Sequence, residues 1–314
     1  MRRFAMIGLG LAAAFIAGGE AKAAGYPEKP IEIYVGFRPG GGADLLSRML
    51  AKHMEERLEQ PVAVINKAGA GGRLAASALH DSPADGYSLA MSVATTFVFD
   101  PLVAKDASFG PEDFTYVSAV AKSQEGFIGL SASYGGFADY LAAAKSEGSL
   151  TYSSMVPIDR LLMGFVAKRE GLQLRPVPAQ GGAGVLQSVL GGTVPAGFSG
   201  GAHFDAYKAG DVRVLAVFDE ERLADYPDAP TLKELGYDVT FVNYFVLAAP
   251  AGLPNDRLET LWQAVKFATE QPDFLELTNE KMHMPKVALP PAETSARLQR
   301  MAQEYRDLIA AVGG

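Results

Sequence analysis

Residues 31–44 read IEIYVGFRPGGGAD, and this stretch decides the fold. Ile31, Ile33, Val35 and Phe37 alternate as in a half-buried strand, Arg38-Pro39-Gly40-Gly41-Gly42 breaks it, and a helical pattern opens at Ala43-Asp44. A strand, a glycine turn and a helix start therefore share fourteen residues. Glycines let the backbone turn sharply with no Cβ in the way, and a helix start carries unpaired N–H groups and partial positive charge. Such a turn can cradle an anion, and it is equally compatible with an ordinary tight βα connection. It is not a phosphate-binding P-loop, because no Gly-Lys-Ser/Thr closes it. It is not a dinucleotide fingerprint either, because its glycines are contiguous.

Outward from this stretch, the N-terminus reads as an export signal. Met1-Arg2-Arg3 is basic, residues 4–16 are apolar, and Ala21-Lys22-Ala23 is a small-x-small cleavage site, so residues 1–23 are expected to be removed and the protein to reside in the periplasm. The whole 314-residue chain is 48% hydrophobic and 20% charged, as in globular proteins. Without residues 1–23 the chain carries 25 basic against 35 acidic side chains. That balance argues against nucleic acid as a partner. The absence of cysteine excludes disulfides and thiolate metal sites. His53, His80, His203 and His283 show no metal-ligand spacing, so neither metal nor cofactor is expected.

The βα pattern then repeats. Periodicity predicts helices over 43–58 and 73–81 and strands over 62–65 and 88–93, with a second glycine turn, NKAGAGG, at 66–72 and a third strand exit at Ala94-Thr95-Thr96. In a parallel sheet these exits gather at one edge, where ligands bind. Two apolar runs flanking residues 121–125 suggest a crossing into a second domain with the same pattern. It has helices over 137–146, 159–170, 185–190 and 204–209, strands over 151–153, 175–177, 196–198 and 212–218, and a glycine turn at 180–184. The apolar run 241–249 returns to the first domain, and helices over 255–270 and 292–312 follow. The expected domains are 24–123 with 244–314, and 124–243, enclosing a cleft suited to a small ligand.

These residues resemble the solute-binding proteins of tripartite tricarboxylate transporters, the Bug family. The resemblance rests on Tyr26-Pro27-Glu28-Lys29-Pro30-Ile31, the Phe37-Arg38-Pro39-Gly40-Gly41-Gly42-Ala43-Asp44 loop, NKAGAGG, Asp85-Gly86-Tyr87-Ser88-Leu89, Leu190-Gly191-Gly192, Lys208-Ala209-Gly210 and Ala249-Pro250-Ala251-Gly252, in family order along nearly the whole chain. It implies a two-domain type II periplasmic binding protein, not an enzyme, which captures a small organic carboxylate and hands it to the membrane subunits of such a transporter. Carried over by motif, the carboxylate would sit between Phe37, Gly40, Gly41 and Asp44 on one loop and Ala70 and Gly71 on the other. Asp44 is expected to order the loop or cap the helix rather than touch the anion. Backbone N–H groups of Gly40, Gly41, Ala70 and Gly71 would grip it, while hydroxyls of Thr95, Thr96 and Ser154 orient the remainder.

The second domain departs from the family pattern at residues 152–160 (YSSMVPIDR) and at Phe198-Ser199-Gly200-Gly201-Ala202-His203. The ligand's distal end therefore cannot be copied from a relative. Arg160 or Arg38 is the candidate partner for a second carboxylate, since a guanidinium offers a bidentate fork. Two alternatives stay open. A ligand-loaded receptor of this kind can dock on a membrane sensor kinase instead of a transporter. Gly197-Phe198-Ser199-Gly200-Gly201 also fits G-x-S-x-G, which would make Ser199 a hydrolase nucleophile, His283 its base and Asp228 or Asp238 the orienting acid.

Overall fold

The computed structural model describes residues 25–105 and 108–313. The expected signal peptide lies outside the described residues. Eleven strands form two sheets among these residues. They are β1 (Ile31–Val35), β2 (Val62–Asn66), β3 (Ser88–Val93), β4 (Phe114–Ser123), β5 (Gly126–Leu130), β6 (Leu150–Ser154), β7 (Leu174–Pro178), β8 (Ala196–Ser199), β9 (Val212–Val217), β10 (Asn243–Pro250) and β11 (Lys286–Leu289).

The first sheet has the order β11-β4-β10-β3-β1-β2 and the second β7-β6-β8-β5-β9. Each is the floor of an α/β lobe. The chain passes from one to the other through Gln124 and Glu125, between β4 and β5, and returns into β10. Neither sheet is purely parallel. β1 pairs parallel with β2 and β3, but β10 runs antiparallel to β3 and β4, and β5 antiparallel to β8 and β9. β5 and β10 are the crossing strands, each entering its sheet from the other lobe, and β11 also runs antiparallel, to β4.

β1 shows why the opening stretch governs its lobe. Ile31, Ile33 and Val35 are wholly buried while Glu32 and Tyr34 are half-exposed, and the Gly42–Leu58 helix buries Leu46, Leu50 and Met54 in the same apolar cluster. Each such side chain contributes roughly 1.5–3 kcal/mol on burial. The helix ends at Glu59 in the left-handed conformation, its N–H returned to the Glu55 carbonyl. β1 and β3 then exit side by side, the Gly36 N–H donating to the Met91 carbonyl at 3.1 Å.

Three expectations shift. The glycine turn at 180–184 is already the first turn of the Gly181–Leu190 helix, and β3 runs directly into the Ala94–Val98 helix without a loop. Glycine alone does not break a helix whose start needs only a positive φ, as at Gly181 (+80°). β11 carries too short an apolar pattern to stand out, and β4 recruits it at the sheet edge.

Gly36 meets the Gly72 backbone so closely that an added Cβ would lie 2.7 Å from the Gly72 Cα. Gly36→Ala is therefore expected to cost about 1–3 kcal/mol by forcing two strand exits apart. Gly164→Ala, in the Pro157–Glu170 helix with nothing near its Cβ direction, should instead gain about 0.5–1 kcal/mol. Thermal melting of the two variants checks the contrast, and equal effects would contradict it.

Candidate functional site

The first loop is built around Asp44, which is buried. Its Oδ2 accepts the Gly40 N–H (2.9 Å) and Arg48 Nε–H (3.0 Å), and its Oδ1 accepts Asn66 Nδ2–H (2.9 Å) and lies 2.9 Å from Arg48 Nη2. Burial raises its pKa, but the hydrogen bonds from Arg48, Gly40 and Asn66 outweigh burial and hold it below the usual carboxylate range. Asn66 also donates to the Phe37 carbonyl at 3.0 Å, so one acid and one amide tie the first loop to the end of β2.

In this arrangement two of the four expected donor N–H groups already have partners within the loop. The Gly40 N–H is spent on Asp44, and the Gly41 N–H on the Arg38 carbonyl at 3.3 Å, because the loop satisfies its own amides. The N–H groups of Gly42, Ala43 and Asp44 remain as the open end of the helix, beneath Met282, Met284 and Phe245. Arg38 is exposed at the outside of the turn.

The second loop has four successive residues at positive φ: Gly69 (+147°), Ala70 (+48°), Gly71 (+69°) and Gly72 (+100°). At Gly72 a side chain is excluded outright, since its Cβ would fall 2.2 Å from Ser92 Oγ. Thr96 Oγ1 donates to the Gly71 carbonyl (2.7 Å) and lies 2.8 Å from Ser92 Oγ. Thr96 is thus tied to the second loop. Its neighbour Thr95 is wholly buried, with no partner for its hydroxyl among the described residues. Ser154 is likewise occupied, donating to the Val156 carbonyl at 3.3 Å where β6 turns into the Pro157–Glu170 helix.

The lobes meet at this second loop. A Cβ on Gly71 would lie 3.4 Å from Pro157 Cδ and 3.2 Å from Asp100 Oδ2. Beside that contact is a cavity of about 600 Å3 whose walls include Ala70, Gly71, Arg73, Asp100, Pro157 and Arg160. Of the residues expected from sequence, Ala70, Gly71 and Arg160 line it. Phe37, Gly40, Gly41, Asp44, Thr95, Thr96 and Ser154 do not. Arg73 and Pro157 each open a helix, Arg73–His80 in one lobe and Pro157–Glu170 in the other, so two positive helix ends and two guanidinium groups converge. Sequence reasoning missed Arg73 and Asp100. Arg73 was legible as the first helical residue after a glycine loop. Asp100 had no signal, because its burial and its place in the cavity wall come from tertiary packing.

A second polar cluster lies at the crossing. Glu125 and Asp159 are both buried. Ser123 Oγ donates to Glu125 Oε1 at 2.7 Å, and the Met155 and Val156 N–H groups donate to Asp159 Oδ2 at 2.7 and 3.1 Å. The other oxygen of each has no partner. Burial pushes Glu125 up to about 7, and burial together with the Glu125 charge pushes Asp159 up to about 8.

The hydrolase arrangement is not assembled. Ser199 is buried at the end of β8, and the histidine beside it is His203, whose Nδ1 lies 2.9 Å from its Oγ. His283 instead stacks on Phe204 and lies 3.3 Å from Asp225, while Asp228 and Asp238 are exposed. His203 Nε2 has no partner, so nothing orients it as a base, and burial drives its pKa down to about 3. The glycines at 197, 200 and 201 serve close packing: a Cβ on Gly200 would strike Ser123 Oγ at 2.3 Å and one on Gly201 the Met282 carbonyl at 2.7 Å.

These shifts set a pH dependence. Glu125 and Asp159 bind protons more tightly when folded, so their contribution is complete below the ordinary carboxylate range and is lost as pH rises through about 7 and 8. His203 runs the other way, its contribution lost as pH falls from 6.5 towards about 3. Denaturant unfolding between pH 5 and pH 8 should show stability falling with pH. Glu125→Gln should flatten that fall and recover about 1–3 kcal/mol at pH 8. A pH slope unchanged in the variant would count against the assignment.

Comparison with known proteins gives the family and the fold. The family model described as tripartite tricarboxylate transporter family receptor, TctC, matches residues 46–312. The UPF0065 protein in the gbd 5′ region of Cupriavidus necator is 33% identical over 285 residues, covering 88% of this chain and 87% of that protein. A TctC solute-binding protein from Polaromonas superimposes with TM-score 0.68 at 26% identity, covering 91% of this chain and all of that one. MatC from Rhodopseudomonas palustris, solved with bound malate, shares the fold with TM-score 0.81 at 21% identity over 90% of this chain and 100% of that one. The two-lobe architecture is that of periplasmic binding proteins, and the chain belongs to the tripartite tricarboxylate transporter family receptors, TctC.

Proposed function

We propose that the protein is a periplasmic receptor that captures a small organic carboxylate between its lobes and delivers it to the membrane subunits of a tripartite tricarboxylate transporter. The observation that carries this reading is the interlobe cavity. Arg73 and Arg160, one from each lobe, and the starts of two helices bring positive charge to one cavity in a protein whose whole chain has a formal net charge of −8. Helix ends and guanidinium groups hold carboxylates through charge-assisted hydrogen bonds. Because the walls come from both lobes, a bound anion bridges them and favours the closed arrangement, which gives a transporter something to recognise. The malate bound by MatC is an anion of the class this cavity suits.

The family-derived contact at Phe37, Gly40 and Gly41 is assigned here to the framework. Those residues shape the loop, and Ala70, Gly71, Arg73 and Arg160 meet the ligand. A thermal-shift screen of the chain from residue 24 onward, against carboxylates and against simple diamines, tests the reading. A ligand at about a hundred times its Kd should add about 2.7 kcal/mol and raise the melting temperature by several degrees. Carboxylates should produce the shift, and Arg160→Gln should weaken it by about tenfold or more in Kd, the loss of one charge-assisted contact. A shift from diamines with none from carboxylates would overturn it.

A further inference from the structure

The cavity wall also contains one acid that an anion site does not need. Asp100 opens the short Asp100–Val103 helix and is only 2% exposed. Its Oδ1 is buried with no hydrogen-bond partner. Its Oδ2 lies against Gly71, 3.2 Å from where a Cβ would be. Arg73 and Arg160, also in the cavity wall, act on its charge, yet Oδ1 accepts no hydrogen bond from either. Burial pushes its pKa up to about 7 despite both arginines.

A carboxylate left in this state is costly, and because Asp100 belongs to the cavity wall, a donor that arrives there with a positive charge relieves it. A metal ion does not suit the site, since no group of three or more His, Cys, Asp or Glu among the described residues is placed to hold one. Asp44 is fully used by Arg48, Asn66 and Gly40, and Glu125 and Asp159 are not among the cavity's lining residues, which leaves Asp100 as the incompletely partnered acid of the cavity wall.

We infer that Asp100 selects ligands carrying an ammonium group beside their carboxylate, the ammonium meeting Asp100 while the carboxylate meets Arg160. The inference rests on the carboxylate reading above and narrows it to amino acids. A hydroxyl in the same place offers a hydrogen bond without the compensating charge, and a plain dicarboxylate sets an anion against Asp100. Asp100 is thus a specificity residue, acting by attraction towards one ligand class and repulsion towards the other.

Calorimetric titration of the chain from residue 24 onward with matched pairs tests this: succinate and aspartate, adipate and 2-aminoadipate, 3-phenylpropionate and phenylalanine. At least one amino acid should bind about tenfold or more tightly than its amine-free partner, the effect of one charge-assisted contact. Asp100→Asn, which keeps the side-chain shape, should abolish that advantage and leave or improve the amine-free acid. Amine-free acids binding as well as the amino acids would overturn the inference while leaving the carboxylate reading intact. So would an amine preference that Asp100→Asn preserves. If no acid of either kind binds the native chain, the carboxylate reading falls and takes the inference with it. The comparison between pair members needs no variant, so misfolding of Asp100→Asn does not remove the test.

Discussion

Gly36 and Gly72 touch backbone to backbone, and the geometry of the cleft follows from that contact. It locks the exit of β1 against the second glycine loop, and Thr96, just past β3, closes the same knot by donating to the Gly71 carbonyl while its hydroxyl meets Ser92 of β3. Three strand ends become one rigid edge. Glycine at both positions is a steric requirement, because any side chain would separate the strands that the edge depends on. The Arg73–His80 helix starts from this fixed point, so its positive end is aimed at the facing lobe by the framework rather than by a flexible loop.

The cleft also shows how one residue type behaves in different surroundings. Asp44 is buried with donors on both oxygens and stays acidic. Asp100, Glu125 and Asp159 are buried with one oxygen each unpartnered, and all three are raised. Deeper burial raises these three, while hydrogen bonds from Arg48, Gly40 and Asn66 outweigh burial at Asp44. Asp44 therefore belongs to the scaffold. Asp159 is half scaffold, capping the turn into its helix, and half uncompensated. The lobes are further joined where Met282 and His283 reach across to Gly201 and Phe204, so closure is set by packing as well as by charge.

Much of the first lobe was legible in sequence, because alternation, glycine turns and helical periodicity are local signals and β1, β2 and β3 follow them. The crossing strands were legible as apolar runs but not as antiparallel, since direction is set by which lobe the chain comes from. Side-chain roles were less accessible. Thr96 and Ser154 read as ligand hydroxyls and turn out to hold backbone carbonyls, and no spacing rule separates the two uses. Gly40 and Gly41 read as anion donors, and the loop consumes both N–H groups. The G-x-S-x-G match fails because its glycines answer to Ser123 and Met282 across the crossing. Asp100 is the clearest omission, a lone acid before a proline whose importance exists only once two lobes enclose it.

The most direct measurement is a crystal structure of the chain grown with the tightest-binding carboxylate. The account predicts that acid in the interlobe cavity, its oxygens within hydrogen-bond distance of the Arg160 guanidinium and beside Ala70 and Gly71. A second, more open pocket of about 430 Å3 lies within the other lobe, walled by Tyr134, Glu147, Arg175 and Pro195. Density for the acid there, or anywhere outside the space between the lobes, would contradict the account.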